Sequence, residues 1–430
     1  MRRWMAGVLS GVMLAGALTL EAEAAPVPDT QNPGQSGQEQ ETVGLFLDVP
    51  EDAYYAPWVR WAVERGMASG TGEGMFSPDA QCTTAQVVTM LWRSVGSPEP
   101  VGQNSFSDVP AGCYYEKAAV WAAEAGLVSG SEFGGDGLCS RGTIVTMLWK
   151  LAGKPAAQQE SSSGTEWNLL LVNPWNPVPQ DFSITLAQIE GSDYSVDERC
   201  VDALNQMMAH CWWAGNRPVV CSAYRTPEKQ EQLFAKAVAK WMGFGLSRAD
   251  AEREAAQETA VPGTSEHQAG LAVDIIDAGY PKLNEKQASM PTQKWLMEHC
   301  WEYGFILRYP EDKSDLTGII YEPWHYRYVG VETAKVIHEQ GLCLEEYLQQ
   351  RAEYQSAVAW AWEQGVTASQ NVDDFAPYNT CTRAQLVTFL HQALAESEKS
   401  QSSPTDLRHS GGAVFTGSFP PLAHKMGKTF

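Results

Sequence analysis

Residues 46–67 read FLDVPEDAYYAPWVRWAVERGM, and residues 106–127 read FSDVPAGCYYEKAAVWAAEAGL. Asp48, Tyr54, Tyr55, Trp61 and Gly66 recur as Asp108, Tyr114, Tyr115, Trp121 and Gly126, each sixty positions on (108 − 48). A copied unit of this size cannot bury its apolar face alone, so it must stack on its siblings. After the first copy comes FSPDAQCTTAQVVTMLWR (76–93), and a shortened link in the second leads to CSRGTIVTMLWK (139–150). A third copy returns far downstream, where WAWEQG (360–365) matches WAVERG (61–66) and FAPYNTCTRAQLVTFLHQ (375–392) matches 76–93. Each unit predicts an aromatic, Ala-rich helix, a Gly stop and then a capped apolar helix. Cys82, Cys139 and Cys381 share one place, directly before an N-cap-like Thr or Ser, and read as small core residues. The third copy is degraded: Tyr347 stands where the aspartate of the first two belongs.

Something else therefore interrupts the repeat, and the chain is long enough for it. With 430 residues, 44% of them hydrophobic, two or three packed domains are expected. The opening MRRWMAGVLSGVMLAGALTLEAEAA has a basic tip, an apolar stretch and a small-residue end. It reads as a secretory signal over 1–24, with an uncleaved anchor as the alternative, followed by a linker over 25–42. No other apolar run is long enough to span a bilayer, so an exported, soluble product is expected. Thirty basic against 52 acidic residues give a net charge of −22. That sign argues against nucleic acid and anionic membrane surfaces, which need clustered Lys and Arg. Nine cysteines is an odd number, and no CxxC pair exists to build a zinc ribbon. Cys200 and Cys211 would lie roughly 16 Å apart along one helix, too far to join. Mostly buried thiols with one or two bridges are expected.

The interruption begins after a Ser- and Gln-rich linker, 154–167. Within 168–349 a helix signal covers 196–215 and ends at Gly215, and a polar helix runs through Arg253 to Ala260. A further helix over 292–304 leads to two strand-like runs, 305–310 and 318–330. Helices first and short strands after predict an α+β domain around a small antiparallel sheet.

Inside it lies PGTSEHQAGLAVDI (262–275). Period-two alternation puts Ala272 and Asp274 on one face of a strand, and Val273 and Ile275 on the other. An acid on such a strand is costly unless it is paired or holds a metal. His267 precedes it across Gly270, and His325 lies in EPWHYRY with Glu322 three residues earlier. Two histidines and one carboxylate make a catalytic zinc set with an open fourth position, and an acid outside the set can serve as base. Singly these residues are weak evidence, since a strand Asp is structural more often than not. Together S-x-H-x-x-G-x-A-x-D, then E-x-W-H about fifty residues on, is a specific pattern.

That pattern resembles the VanY-like zinc D-alanyl-D-alanine carboxypeptidases, with likeness from about Asn173 to Leu348. SAYR, Q-x-x-LF, YGFILRYP, TGIIYEPWHYRYVG and LEEYL fit as well. The resemblance implies Zn2+ held by His267, Asp274 and His325, with Glu322 as general base and Arg225 binding a carboxylate or oxyanion. It offers Gln230, Ser265, Tyr309 and Trp324 as holders of the peptide end. Two imidazoles and one carboxylate leave such a site with net +1, enough to activate a water near neutral pH. The implied substrate is the peptidoglycan stem peptide. Relatives cut D-Ala-D-Ala or the bond before D-Ala in tetrapeptides; the D,D bond is preferred on group frequency, and an L,D-carboxypeptidase is the alternative.

The flanking units resemble the S-layer homology (SLH) module of Gram-positive surface proteins, through FxDV, the Trp-Ala helix, the Gly66–Gly70 and Gly126–Gly130 turns, FxP and T-R-A-Q. This implies a peptidase inserted between all-α repeats at 43–97, 103–153 and 350–396, ahead of a disordered tail over 397–430. It also implies attachment to the wall through a secondary cell-wall polysaccharide. Arg141 and Arg383 match the family's polymer-binding arginine, and Thr84 replaces it in unit one. Rival hydrolases fail on residues: no serine begins S-x-x-K, and His338-Glu339 has Leu342 where H-E-x-x-H needs its second His. A wall-binding protein with a passive spacer is the reading from another class, and the intact His267, Asp274, His325 and Glu322 argue against it.

Overall fold

A computed structural model describes residues 45–157 and 166–401, with side chains of the last helix described to Leu394. The expected signal, the 25–42 linker, most of the 154–167 linker and the tail beyond 401 lie outside the described residues.

The first unit contributes α1 (Ala56–Glu64) and α2 (Thr84–Ser94), and the second α3 (Glu116–Glu124) and α4 (Arg141–Leu151). Their apolar faces meet residues from the third copy in one core that includes Ala62, Val88, Leu91, Ala122, Ile144, Val145, Ala361, Val387 and Leu390. The three equivalent cysteines lie where the units converge. Cys82 N donates to Cys381 O (2.8 Å), Cys139 N to Cys82 O (2.8 Å), and Cys381 N to Cys139 O (3.0 Å). This closed ring satisfies three buried amides with three buried carbonyls, which is why small side chains recur there. Just after the ring each second helix is capped: Thr83 Oγ1 accepts from Gln86 N, Ser140 Oγ from Thr143 N, and Thr382 Oγ1 from Gln385 N.

The FxDV aspartates have a local task. Asp48 accepts from Phe76 N and Ser77 N (2.7 and 2.6 Å), and Asp108 from Phe133 N and Gly134 N (both 2.7 Å). Each carboxylate thus ties the start of its unit to the loop before its second helix, FSP in unit one and FGG in unit two. In the third copy Tyr347 instead buries its ring against Tyr378 and accepts from Thr333 Oγ1. Its FxP loop is held by a short helix whose N-cap, Asn371, accepts from Asp373 N and Asp374 N.

The interrupting domain opens with the hairpin β1 (Leu186–Gln188) and β2 (Ser195–Asp197), then α5 (Glu198–Trp213). β3 (Pro218–Ser222) precedes a helical pair, α6 (Pro227–Gly243) and α7 (Arg248–Glu258), where the sequence pointed to a single polar helix. β4 (Ala272–Asp277), α8 (Pro291–His299), β5 (Phe305–Leu307), the single turn α9 (Ser314–Thr317) and β6 (His325–Tyr328) follow. Four strands form one antiparallel sheet in the order β3-β4-β6-β5, an α+β domain as expected. Val273 and Ile275 of β4 face a core with Leu204, Met207, Leu296 and Tyr326. The opposite face of β4 and β6 is left for Asp274, His325 and Arg327.

After α10 (Val331–Gln340) comes α11 (Leu344–Glu363), twenty residues without a break. Leu344 and Tyr347 pack with Ile306 and Val329 of the interrupting domain, while Ala357, Val358 and Ala361 pack into the helical core. The expected boundary at 349/350 therefore falls inside a helix roughly 30 Å long. α12 (Val372–Phe375) and α13 (Arg383–Gln401) complete the third copy, and α13 runs into the segment expected to be the tail. All nine cysteines are free, so the expected bridges are absent and the thiols serve as packing. Burial pushes Cys200, Cys211 and Cys300 up to about 12, so at neutral pH they stay thiols. No described helix is long and apolar enough to cross a membrane.

Candidate metal centre and catalytic cleft

Antiparallel register brings the separated motifs together: Asp274 pairs with His325 across β4 and β6, and with Ser222 across β3. His267 arrives from the other side, on a 3-10 turn (Glu266–Ala269) that ends at Gly270 with φ +68. That left-handed φ is one that side-chain-bearing residues rarely adopt, and a Cβ at Gly270 would press on Ile184, so glycine suits this turn. His267 Nδ1 donates to Ala223 O (2.7 Å), which turns the free Nε2 lone pair toward Asp274 Oδ2, 3.3 Å away. His325 Nδ1 lies 3.2 Å from Asp274 Oδ1, while its Nε2 faces Glu266 Oε2 at 3.4 Å.

These ligand atoms all lie within 4.8 Å of one another and are buried. Atoms bound about 2.1 Å from one tetrahedral ion stand roughly 3.4 Å apart; Asp274 meets His267 through Oδ2 and His325 through Oδ1 at similar separations, 3.3 and 3.2 Å. Asp274 Oδ1 is also buried without a hydrogen-bond partner, close to His325 yet not aligned with it. Two imidazole nitrogens and a carboxylate oxygen suit zinc. The residues present fit the ion.

Electrostatics point the same way. Burial, helped by the nearby Arg225 charge, pulls His267 down to about 4, so its imidazole is neutral and ready to ligate. Burial alone would raise Asp274, but His267, His325 and Arg225 hold its carboxyl well below the usual range. His325 is drawn the other way: burial lowers it, but Asp274 and Glu266 outweigh that and push it up to about 9.

Glu322 stands at the edge of this set, its Oε2 3.6 Å from His325 Nδ1. A turn fixes it, with Glu322 N donating to Tyr309 O and His325 N to Glu322 O. Burial, with Asp274 adding, pushes its carboxyl up to about 8, the range where a group can both take and return a proton. Arg225 donates through Nε to Ser222 Oγ (2.9 Å), through Nη2 to Asp274 Oδ2 (2.7 Å) and through Nη1 to Gln230 Oε1 (3.4 Å). His267, Asp274, His325, Glu322, Arg225, Ser265, Tyr309 and Trp324 all line one cleft of about 940 Å³. Gln230 does not. Its side chain is buried, with Nε2 donating to Ala260 O (2.7 Å) and Oε1 accepting from Arg225 Nη1 (3.4 Å).

Residues 193–331 match the family described as VanY, D-alanyl-D-alanine carboxypeptidase, and residues 45–88 match the S-layer homology domain. A D-alanyl-D-alanine carboxypeptidase of Enterococcus faecalis is 43% identical over 193 residues, 45% of this chain and 70% of that protein. The chain belongs to the VanY family. A solved vancomycin-resistance D,D-pentapeptidase VanY variant in complex with Zn(II) is 44% identical, over 43% of this chain and 99% of that one, with a TM-score of 0.39. VanYB in complex with D-alanine-D-alanine is 44% identical over 43% and 98%, with a TM-score of 0.40. An S-layer protein of Bacillus thuringiensis is 25% identical over 176 residues, 39% of this chain and 19% of that protein.

Sequence reasoning missed Glu266. It is fully buried, and its Oε1 accepts from Arg308 Nε (2.7 Å) and Arg327 Nη1 (2.6 Å) while Oε2 faces His325. The available signal was an arginine inside each strand-like run, FILRYP and HYRY, which needs a buried anion. The two expected polymer-binding arginines differ. Both stack on a phenylalanine at 4.5 Å, Arg141 on Phe375 and Arg383 on Phe76. Arg383 is buried and donates to Phe76 O (2.8 Å) and Ser69 O (2.7 Å). Arg141 Nε has no hydrogen-bond partner among the described residues.

Proposed function

We propose that this VanY-family enzyme is a zinc carboxypeptidase that removes the terminal D-alanine from peptidoglycan stem peptides while attached to the cell wall. The observation that carries the reading is the buried set of His267, Asp274 and His325 with Glu322 beside it.

Zinc, when bound by those three residues, supplies Lewis acidity to water and to the substrate carbonyl. Glu322 Oε2 takes a proton from the attacking water and passes it to the amine of the departing D-alanine. The buried setting that pushes Glu322 up allows it to keep that proton between the two steps. Arg225 offers a planar fork at the cleft, suited to the terminal carboxylate, and Gln230 holds it in place. Tyr309, packed beside His325, and Trp324 form an apolar wall around the peptide end. Ser265 presents a hydroxyl to the same cleft.

The experiment is mass spectrometry of products from defined pentapeptide and tetrapeptide stems, with D-alanine measured alongside. Pentapeptide shortened by one D-alanine supports the D,D reading; cleavage of tetrapeptide alone assigns the L,D bond instead.

The helical units supply the wall anchor in this reading, with an anionic secondary polysaccharide as partner and export directed by the N-terminal segment. Arg141 carries the guanidinium most available to such a polymer, since that of Arg383 is held by carbonyls. Binding to purified walls should fall with Arg141→Ala; unchanged binding would remove Arg141 from that role.

A further inference from the structure

From the chain of contacts behind the ligands, we infer that Glu345 of α11 is a positioning residue for the metal centre, acting through Arg308 and Glu266 on His325. The inference rests on the reading of His325 as a ligand. Arg308 has no exposed surface and is gripped on both edges of its guanidinium. Its Nε donates to Glu266 Oε1 (2.7 Å), and its Nη1 and Nη2 donate to Glu345 Oε2 and Oε1 (2.9 and 2.7 Å). Asn173 Nδ2 holds Glu345 Oε1 from the other side (3.0 Å). Glu266 then meets His325 Nε2 through its second oxygen, at 3.4 Å.

Each link follows from the geometry of its group. A carboxylate bound by both forked nitrogens of a buried arginine fixes the guanidinium plane. A fixed plane leaves Arg308 only its Nε for Glu266, so the second oxygen of Glu266 stays directed at the imidazole. An acceptor at Nε2 keeps the proton there and presents Nδ1 to the ion. With the charge of Glu345 removed, Arg308 keeps one strong acceptor and recentres on Glu266, competing with His325 for it.

Glu345 does not belong to the sheet that carries the ligands. It sits in the first turn of α11, the helix that continues to Ala357, Val358 and Ala361 in the core of the repeats. The first turn of the helix that joins the two parts therefore braces the metal centre from behind, and its far end is anchored in the core of the repeats.

The test uses the full chain as wild type, Glu345→Gln, Glu345→Asp and Glu346→Gln. Glu346 is the control on the same turn: it accepts from Cys343 N and Lys313 Nζ, away from the cleft. Zinc affinity is read by chelator competition, ligand geometry by the absorption bands of the cobalt(II)-loaded protein, and turnover at saturating zinc. Glu345→Gln should weaken zinc about 10- to 100-fold, shift the cobalt bands and lower kcat about tenfold with KM little changed. Glu345→Asp should lie between it and wild type, and it carries the test if the Gln variant does not fold. Glu346→Gln should keep wild-type zinc affinity and bands even where it melts earlier. Wild-type zinc affinity and bands in both Glu345 variants, or equal losses at Glu345 and Glu346, would overturn the inference. A wild-type chain that binds no zinc would instead overturn the metal reading beneath it.

Discussion

The helical repeats and the peptidase both bury polar groups at their centres, but of different kinds. Where the three units converge, the buried groups are backbone amides and carbonyls at Cys82, Cys139 and Cys381, closed into a ring. Where the sheet meets the His267 turn, they are ions: Glu266 against Arg308 and Arg327, and Asp274 against Arg225 and two histidines. A backbone ring satisfies itself whichever small side chains surround it. Buried ions are costly and hold only with every partner in place. One centre is built for assembly, the other for holding a cation.

That contrast can be broken most severely by removing the ion. Dialysis against a strong chelator should take D-alanine release to background, and added zinc should restore it, while the far-ultraviolet spectrum of the repeats stays unchanged. Loss of helical signal along with zinc would mean the two centres are not separate in kind. Next in size is Arg327→Met, which leaves Glu266 short of a buried partner and should cost about 3–5 kcal/mol in denaturant unfolding. A cost below about 1 kcal/mol would show the peptidase tolerates ionic loss as the repeats do.

A third prediction concerns pH. Burial would raise Asp277, but bonds from the Thr292 hydroxyl and from the amides of Gly279 and Thr292 outweigh it and lower the carboxyl. A lowered folded value means its stabilisation is complete above the ordinary carboxylate range, near pH 4, and fades as pH falls through the folded value. Asp277→Asn should therefore cost about 1–2 kcal/mol at pH 7 and progressively less as pH falls through the folded value. A cost that stays constant down to the acid limit of folding would assign the effect to packing. The smallest change should be Arg141→Met in the repeats, within about 1 kcal/mol of wild type, because Arg141 Nε already lacks an acceptor.

The same contrast governs what could be read from the residues. The repeat announces itself by identity at fixed spacing, and the alternation in LAVDII placed Asp274 opposite Val273 before any strand was seen. His267, Asp274, Glu322 and His325 were legible because their pattern is specific; antiparallel register brings Asp274 and His325 together, and turns carry His267 and Glu322 to them. Glu266 was not, since one acid beside a histidine looks like any surface charge until Arg308 and Arg327, 42 and 61 residues away, close around it. Gln230 shows a related limit: its motif marks a place near the cleft, and only packing decides which way the amide turns. The unbroken α11 was hidden because the repeat match resumes at Trp360, well inside the helix. Mostly buried thiols were expected beside one or two bridges, and all nine are free.

The central claim is that Glu322 moves the proton for a cation held by His267, Asp274 and His325. Its most direct test is D-alanine release from a pentapeptide stem by wild type and Glu322→Gln, each shown to hold one zinc. The account predicts equal zinc content and a fall in turnover of about 10²- to 10⁴-fold in the variant. Turnover near wild type with zinc in place would contradict it.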